Sequence, residues 1–147
     1  MKKKILAIMS GLMIMTSAMC YAAVSPDNIA IAGVAPGSSV EAAKAKLGTP
    51  TQSGHKLFFP NGITIEFVKY NPDIIEEIET MSAGTTPAGI QIGSSESELT
   101  AAYGNPDKYD RDYDDTEYTY YSTDFTKKME FKVVNGNVIQ IKCELRD

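Results

Sequence analysis

Two kinds of pattern alternate along this chain. Two short stretches carry apolar residues on one helical face: Val40, Ala43 and Leu47 in the first, Leu99, Ala102 and Tyr103 in the second. Each is followed by three runs in which apolar and polar residues alternate, the signature of a strand with one buried face. These cover residues 56–59, 63–68 and 74–80, then 117–122, 128–134 and 138–144. In the second run of each group Ile63, Ile65 and Phe67, and then Met129, Phe131 and Val133, share a face, with Thr64, Glu66, Glu130 and Lys132 on the other.

The punctuation supports these elements. Ser38 with Glu41 and Ser95 with Glu98 have capping-box spacing, in which hydroxyl and carboxylate satisfy free backbone donors at a helix start. Gly48 and Gly104 can take the left-handed conformation that ends a helix, and Pro50 and Pro106 prevent its continuation. Helices of about nine residues are marginal in isolation and must be held by packing on the strands that follow. Asn61-Gly62 and Asn135-Gly136 supply tight hairpin turns, and Asn71-Pro72-Asp73 falls where a third turn is expected.

The two halves are copies of one pattern. Gly33, Gly37, Ser38, Gly48 and Pro50 recur as Gly89, Gly93, Ser94, Gly104 and Pro106, at a constant offset of 56. The expected fold class is therefore α+β: two tandem helix-plus-antiparallel-meander modules in two layers, about six strands with the helices on one face. Module 1 spans residues 24–84 and module 2 residues 85–147, joined through the small residues of 82–87, with the two meanders expected side by side as one curved sheet and both helices on its convex side.

Ahead of the modules, Lys2, Lys3 and Lys4 precede an apolar run from Ile5 to Met15 and then small residues, the order of a secretory signal. Residues 1–23 are expected to be cleaved after Ala22 or Ala23, placing the protein in the periplasm or outside the cell. A lipoprotein anchored through Cys20 is the weaker alternative, because Ser17, Ala18 and Met19 precede that cysteine where Leu and a small residue are expected. The apolar run is shorter than the roughly 20 residues of a membrane-spanning helix, so no transmembrane segment is expected after cleavage. Cys143 would then be the only thiol, ruling out an internal disulfide, and its apolar surroundings predict a buried, inert side chain. Loss of three lysines takes the formal charge from −5 to −8. Such an acidic chain is a poor partner for nucleic acid.

No catalytic, cofactor-binding or metal-ligating constellation is apparent. His55 is the only histidine, and Ser38, Ser39, Ser94 and Ser95 all have sufficient capping roles. Glu76, Glu77 and Glu79 could join the aspartates only in a sugar-sized cleft, which a sheet this small hardly offers. The most unusual composition lies at residues 107–117, where acids and tyrosines interleave. Asp110, Asp112 and Asp114 have the spacing of the first calcium-loop ligands. However, Asp115 stands where the loop needs Gly, and Tyr121 where it needs Glu, which excludes an EF-hand and leaves only a weak calcium site as an alternative. Tyrosine is enriched in protein interfaces. Tyr109, Asp112, Tyr113, Asp114, Tyr118 and Tyr120 are therefore the candidate partner-binding residues, although the same tyrosines could instead pair across strands.

The sequence pattern of an apolar residue, Gly and Ser, a short helix, then Leu/Tyr-Gly-x-Pro and a meander resembles the SmpA/OmlA (BamE-like) envelope proteins. It is carried by Val34, Gly37, Leu47, Gly48 and Pro50, and again by Ile90, Gly93, Tyr103, Gly104 and Pro106. The duplication resembles the β-lactamase inhibitory protein (BLIP-like) architecture. What the resemblance implies is action through protein contacts without catalysis. The expected function is thus an exported binding module with a protein partner. A small-ligand or calcium-binding module and a structural envelope component without a ligand are the alternatives.

Overall fold

The computed structural model describes residues 23–147; Cys20 and all of the expected signal segment except Ala23 lie outside them. The elements in chain order are a short 3-10 turn at Pro26–Asn28, α1 (Val40–Leu47), β1 (Thr51–Ser53), β2 (Lys56–Phe58), β3 (Ile63–Val68), β4 (Asn71–Thr80), α2 (Glu96–Tyr103), β5 (Lys108–Arg111), β6 (Thr116–Tyr121), β7 (Lys127–Val134) and β8 (Asn137–Leu145).

All eight strands form one antiparallel sheet in the order β1-β2-β3-β4-β8-β7-β6-β5. This corrects the expected fold class. The molecule is not a two-layer α+β pair of modules with six strands but a mostly β protein, 46% strand and 15% helix. Two causes account for the difference. First, β4 pairs directly with β8 through Glu77↔Glu144, Ile78↔Cys143, Glu79↔Lys142 and Thr80↔Ile141, so the side-by-side meanders form one continuous ladder in which the two short helices are minor elements. Second, the outermost strands β1 and β5 are short and bury no residue, so they carry no apolar alternation by which to be found.

One face of the sheet carries the core. Ile63, Ile65 and Phe67 of β3, Ile75 and Ile78 of β4, Met129, Phe131 and Val133 of β7, and Val138, Ile141 and Cys143 of β8 are buried there beneath α1, α2 and the segment Val24–Val34. Strand alternation then sends Thr64, Glu66, Glu77, Glu79, Glu130, Lys142 and Glu144 to the opposite, open face. Both helices are tied down by a few side chains: Val40 and Ala43 on α1, Leu99 and Tyr103 on α2. The Tyr103 ring lies 5.4 Å from Tyr120 and 5.3 Å from Phe131, and such aromatic pairs each contribute about 0.5 to 1.5 kcal/mol beyond their area.

The second helix starts as expected. The Ser95 hydroxyl accepts from the Glu98 N–H while the Glu98 carboxylate accepts from the Ser95 N–H, a complete capping box. In the first helix the cap is Ser39, not Ser38. Ser39 Oγ accepts from the Ala42 N–H at 3.0 Å, whereas the Ser38 hydroxyl donates back to the Ala35 carbonyl at 2.6 Å. The turn expected at residues 71–73 lies instead at Lys69-Tyr70. Asn71 already pairs with Val68 across a register shift that lets β4 begin earlier than its apolar residues suggest.

What recurs between the halves is local geometry. The Gly37 N–H donates to Ile75 and the Ile75 N–H to Ser38; the Gly93 N–H donates to Val138 and the Val138 N–H to Ser94. This correspondence maps Ile75 onto Val138 and, four residues on, Glu79 onto Lys142. Glu79 and Lys142 are also each other's partners across β4 and β8, so a local two-fold axis passes between them.

Candidate protein-contact surface

The interleaved acids and tyrosines of 107–117 become an edge strand, a tight turn and the start of its neighbour. In β5 and β6, Tyr109 faces Tyr118 and Asp110 faces Glu117, and the Asp112 N–H closes the hairpin on the Asp115 carbonyl. Pairing on one face sends Tyr109 and Tyr118 towards the core side, where their rings meet edge to face at 5.1 Å.

This arrangement separates the six candidate residues. Tyr113 at the tip is fully exposed, Asp112 and Asp114 beside it are exposed, and Tyr109 is half-exposed. Tyr118 and Tyr120, by contrast, are buried under α2, at 2% and 0% exposure. Alternation along β6 puts both on the core side. There the Tyr118 hydroxyl donates to the Glu96 carboxylate and the Tyr120 hydroxyl to the Gly104 carbonyl at 3.1 Å. Burial pushes both phenols well above their ordinary range, and the Glu96 hydrogen bond adds to this for Tyr118. Tyr103 is likewise pushed up to about 12 by burial.

Among the described residues no group of three or more His, Cys, Asp or Glu side chains gathers at metal-ligating geometry. Asp110 lies on β5 while Asp112 and Asp114 lie in the turn, so the calcium alternative has no assembled ligand set. A polar cleft of about 210 Å³ lies beside the turn, lined by Glu96, Arg111, Asp112, Asp114, Asp115 and Asn135 among others. A second, more open groove of about 450 Å³ runs along α1 between Glu41, Lys44, Pro50 and Gln52. His55 is exposed, with its ring edge-on to Phe67 at 5.8 Å. Cys143 is fully buried, and that burial drives its thiol pKa upward.

The open face holds an arrangement that sequence reasoning missed. Lys128 bonds Glu130 and Glu144 at 2.8 Å each, and Lys142 bonds Glu130 at 2.8 Å and Glu144 at 3.3 Å, closing a four-membered ring of ion pairs across β7 and β8. Burial alone would raise the Glu130 carboxyl, but the hydrogen bonds from Lys128 and Lys142 outweigh it and hold the group below its usual range. The signal was present: Lys128, Glu130, Lys142 and Glu144 are the polar positions of two strands whose register the Asn135-Gly136 turn sets.

Beside this ring lies an imbalance. A row of charged residues crosses five strands in the order Lys56, Glu66, Glu77, Glu144, Lys128. Lys56 pairs with Glu66 at 3.0 Å. Glu77 sits between two carboxylates and makes no ion pair among the described residues. Its burial, opposed by Lys142 and reinforced by Glu144 and Glu79, raises its pKa.

No family model matches the sequence, and no curated protein matches it. Among solved structures the chain is similar to a DUF4309 family protein, YjgB, from Bacillus subtilis subsp. subtilis str. 168, with 12% identity, a TM-score of 0.54, and coverage of 77% of this chain and 82% of that one. At that identity the likeness is one of fold alone: the chain shares its overall fold with a DUF4309 family protein.

Proposed function

We propose that the protein is an exported, non-catalytic binding module that acts through contact with another protein. The observation that carries this reading is Tyr113, fully exposed at the tip of the β5–β6 hairpin between the exposed carboxylates Asp112 and Asp114. Among the described residues this large amphipathic ring, held out on a tight turn, makes no side-chain hydrogen bond or ring contact. It offers contact area at low entropic cost, and the flanking acids favour a partner with a basic rim. The resemblance to SmpA/OmlA (BamE-like) and BLIP-like proteins supports the same reading, and the lysine-led apolar segment at the chain start supports its export.

The test is a cross-linking pull-down with residues 24–147 against the envelope and secreted proteins of the source cell. Capture of a saturable partner that Tyr113→Ala weakens at least tenfold supports the proposal. Capture indifferent to Tyr113→Ala, or no saturable partner at all, refutes it.

A further inference from the structure

We propose that the free edge of β5 pairs with the β5 edge of a second copy of this chain, antiparallel and centred on Tyr109, through a two-fold interface that joins the two sheets. This inference does not depend on the hairpin tip. It rests on the backbone edge and the charge order along it.

The strand and the residue before it read Asp107, Lys108, Tyr109, Asp110, Arg111. The charges alternate about a central tyrosine, negative and positive before it, negative and positive after it. When such a strand is laid antiparallel on itself about that tyrosine, Lys108 faces Asp110 of the second copy and Tyr109 faces Tyr109. Lys108 and Asp110 each meet their opposite, and the two-fold operation repeats the contact, as an isologous interface requires. Neighbouring registers fail. A shift of the centre towards Asp110 opposes Lys108 to Arg111 or Asp110 to itself, and a shift towards Lys108 opposes Asp107 to Asp110.

The backbone suits the same register. The Asp112 N–H bonds the Asp115 carbonyl, and alternation along an antiparallel ladder then turns the backbone groups of Asp110 and Lys108 towards β6 and those of Tyr109 outward. Tyr109 can thus exchange two N–H···O=C bonds with its counterpart at the centre. The flanking Lys108 and Asp110 fall at positions where facing side chains lie closest. These side chains are available as well. Lys108, Asp110 and Arg111 are exposed and, among the described residues, take part in no ion pair or side-chain hydrogen bond, Lys108 lying over the Tyr121 ring at 5.8 Å. Asp107, ahead of the strand, is engaged within its own copy, its N–H donating to the Thr119 carbonyl and its carboxylate accepting from the Tyr121 N–H at 2.7 Å. Charge scattered along an edge ordinarily deters pairing. Here the same charges specify a single self-pairing register. The opposite edge has no such order: β1 is the uncharged Thr51–Ser53 and follows Pro50.

Sedimentation of the chain 24–147 at low salt, from about 5 to about 500 μM, tests the proposal. The expected result is a monomer–dimer equilibrium. Lys108→Asp and Asp110→Lys should each raise its dissociation constant about tenfold, because each turns two attractive facing pairs into repulsive ones. The double variant Lys108→Asp with Asp110→Lys exchanges the signs and should return the constant to within about twofold of the parent. Unchanged melting temperatures would show that these exposed substitutions leave the fold intact, and Tyr113→Ala should leave the association untouched. A monomer at every concentration, a dimer indifferent to the single reversals, or a double variant that stays dissociated would each overturn the proposal.

Discussion

Replacing Glu77 with Gln should stabilise this protein near neutral pH, even though it removes a charged residue from a face rich in ion pairs. Glu77 stands directly between Glu66 and Glu144 across β3, β4 and β8 and has no ion-pair partner among the described residues. Like charges directly opposite in a sheet destabilise it by about 0.2 to 1 kcal/mol per pair. Two such neighbours, partly offset by attraction to Lys142 and screened on a half-exposed face, leave an expected gain of about 0.5 to 1 kcal/mol. For a domain of this size that is a rise of about 2 to 4 °C in melting temperature.

The pH dependence shows whether the Glu77 charge, disfavoured first by burial and then by neighbouring carboxylates, carries the deficit. Because the folded-state pKa of Glu77 is raised, the folded protein takes up its proton before the unfolded chain does. The associated stability is complete below the unfolded pKa and lost as pH rises through the folded value. The parent therefore has its deficit at neutral pH and recovers it below about pH 4. Thermal melts of parent and Glu77→Gln at about pH 7 and about pH 3.5 should show a gain at the first and almost none at the second. Destabilisation at neutral pH, or an equal gain at both, would refute the electrostatic account.

Other substitutions address the core and its joints. Leu99→Ala, at a fully buried anchor of α2, should cost about 3 kcal/mol, read as a lower urea midpoint at unchanged slope. Gly84→Ala should cost about 2 kcal/mol or more: its φ is +102° and an added Cβ would stand 2.7 Å from Ile31 Cγ2, so an unchanged melting temperature would contradict the packing described. Tyr120→Phe should cost about 1 to 2 kcal/mol by leaving the Gly104 carbonyl without its hydroxyl donor. In residues 24–147, Cys143 should react with a thiol reagent only at the rate of unfolding, so rapid labelling under native conditions would contradict its burial.

The parts of the fold legible in the sequence were those governed by short-range periodicity. Ile63, Ile65 and Phe67, and likewise Met129, Phe131 and Val133, occupy the buried face that their alternation assigns, because a strand with one wet face leaves that trace. The outer strands left none. Lys108–Arg111 is exposed on every residue, and only its pairing with β6 distinguishes it from a loop. Long-range pairing was legible only in outline: the meanders were expected side by side in one sheet, but nothing in the residues of β4 or β8 gives their register, and the added edge strands changed the fold class. The displaced first cap shows a finer ambiguity: Ser38 and Ser39 are adjacent hydroxyls, and Glu41 sits at capping-box distance only from the wrong one. In the tyrosine segment, composition suggested a shared surface, but β6 alternation turned Tyr118 and Tyr120 inward and left Tyr109, Asp112, Tyr113 and Asp114 outside.

The local two-fold axis between Glu79 and Lys142 has a consequence for how far the two halves can stand in for one another. At such an axis a strand pairing with an identical copy of itself would set Glu79 against Glu79, or Lys142 against Lys142. Both arrangements repel. At the axis only the mixed pairing sets opposite charges, Glu79 and Lys142, against each other, and there Gln140 also donates to Glu79 at 2.6 Å, although Glu77 meets Glu144 further along the same ladder. Duplicated as they are in pattern, the halves have diverged into lock and key at the point where symmetry would otherwise make them interchangeable. Fragments severed in the 82–87 connection should therefore recombine with each other in preference to their own kind.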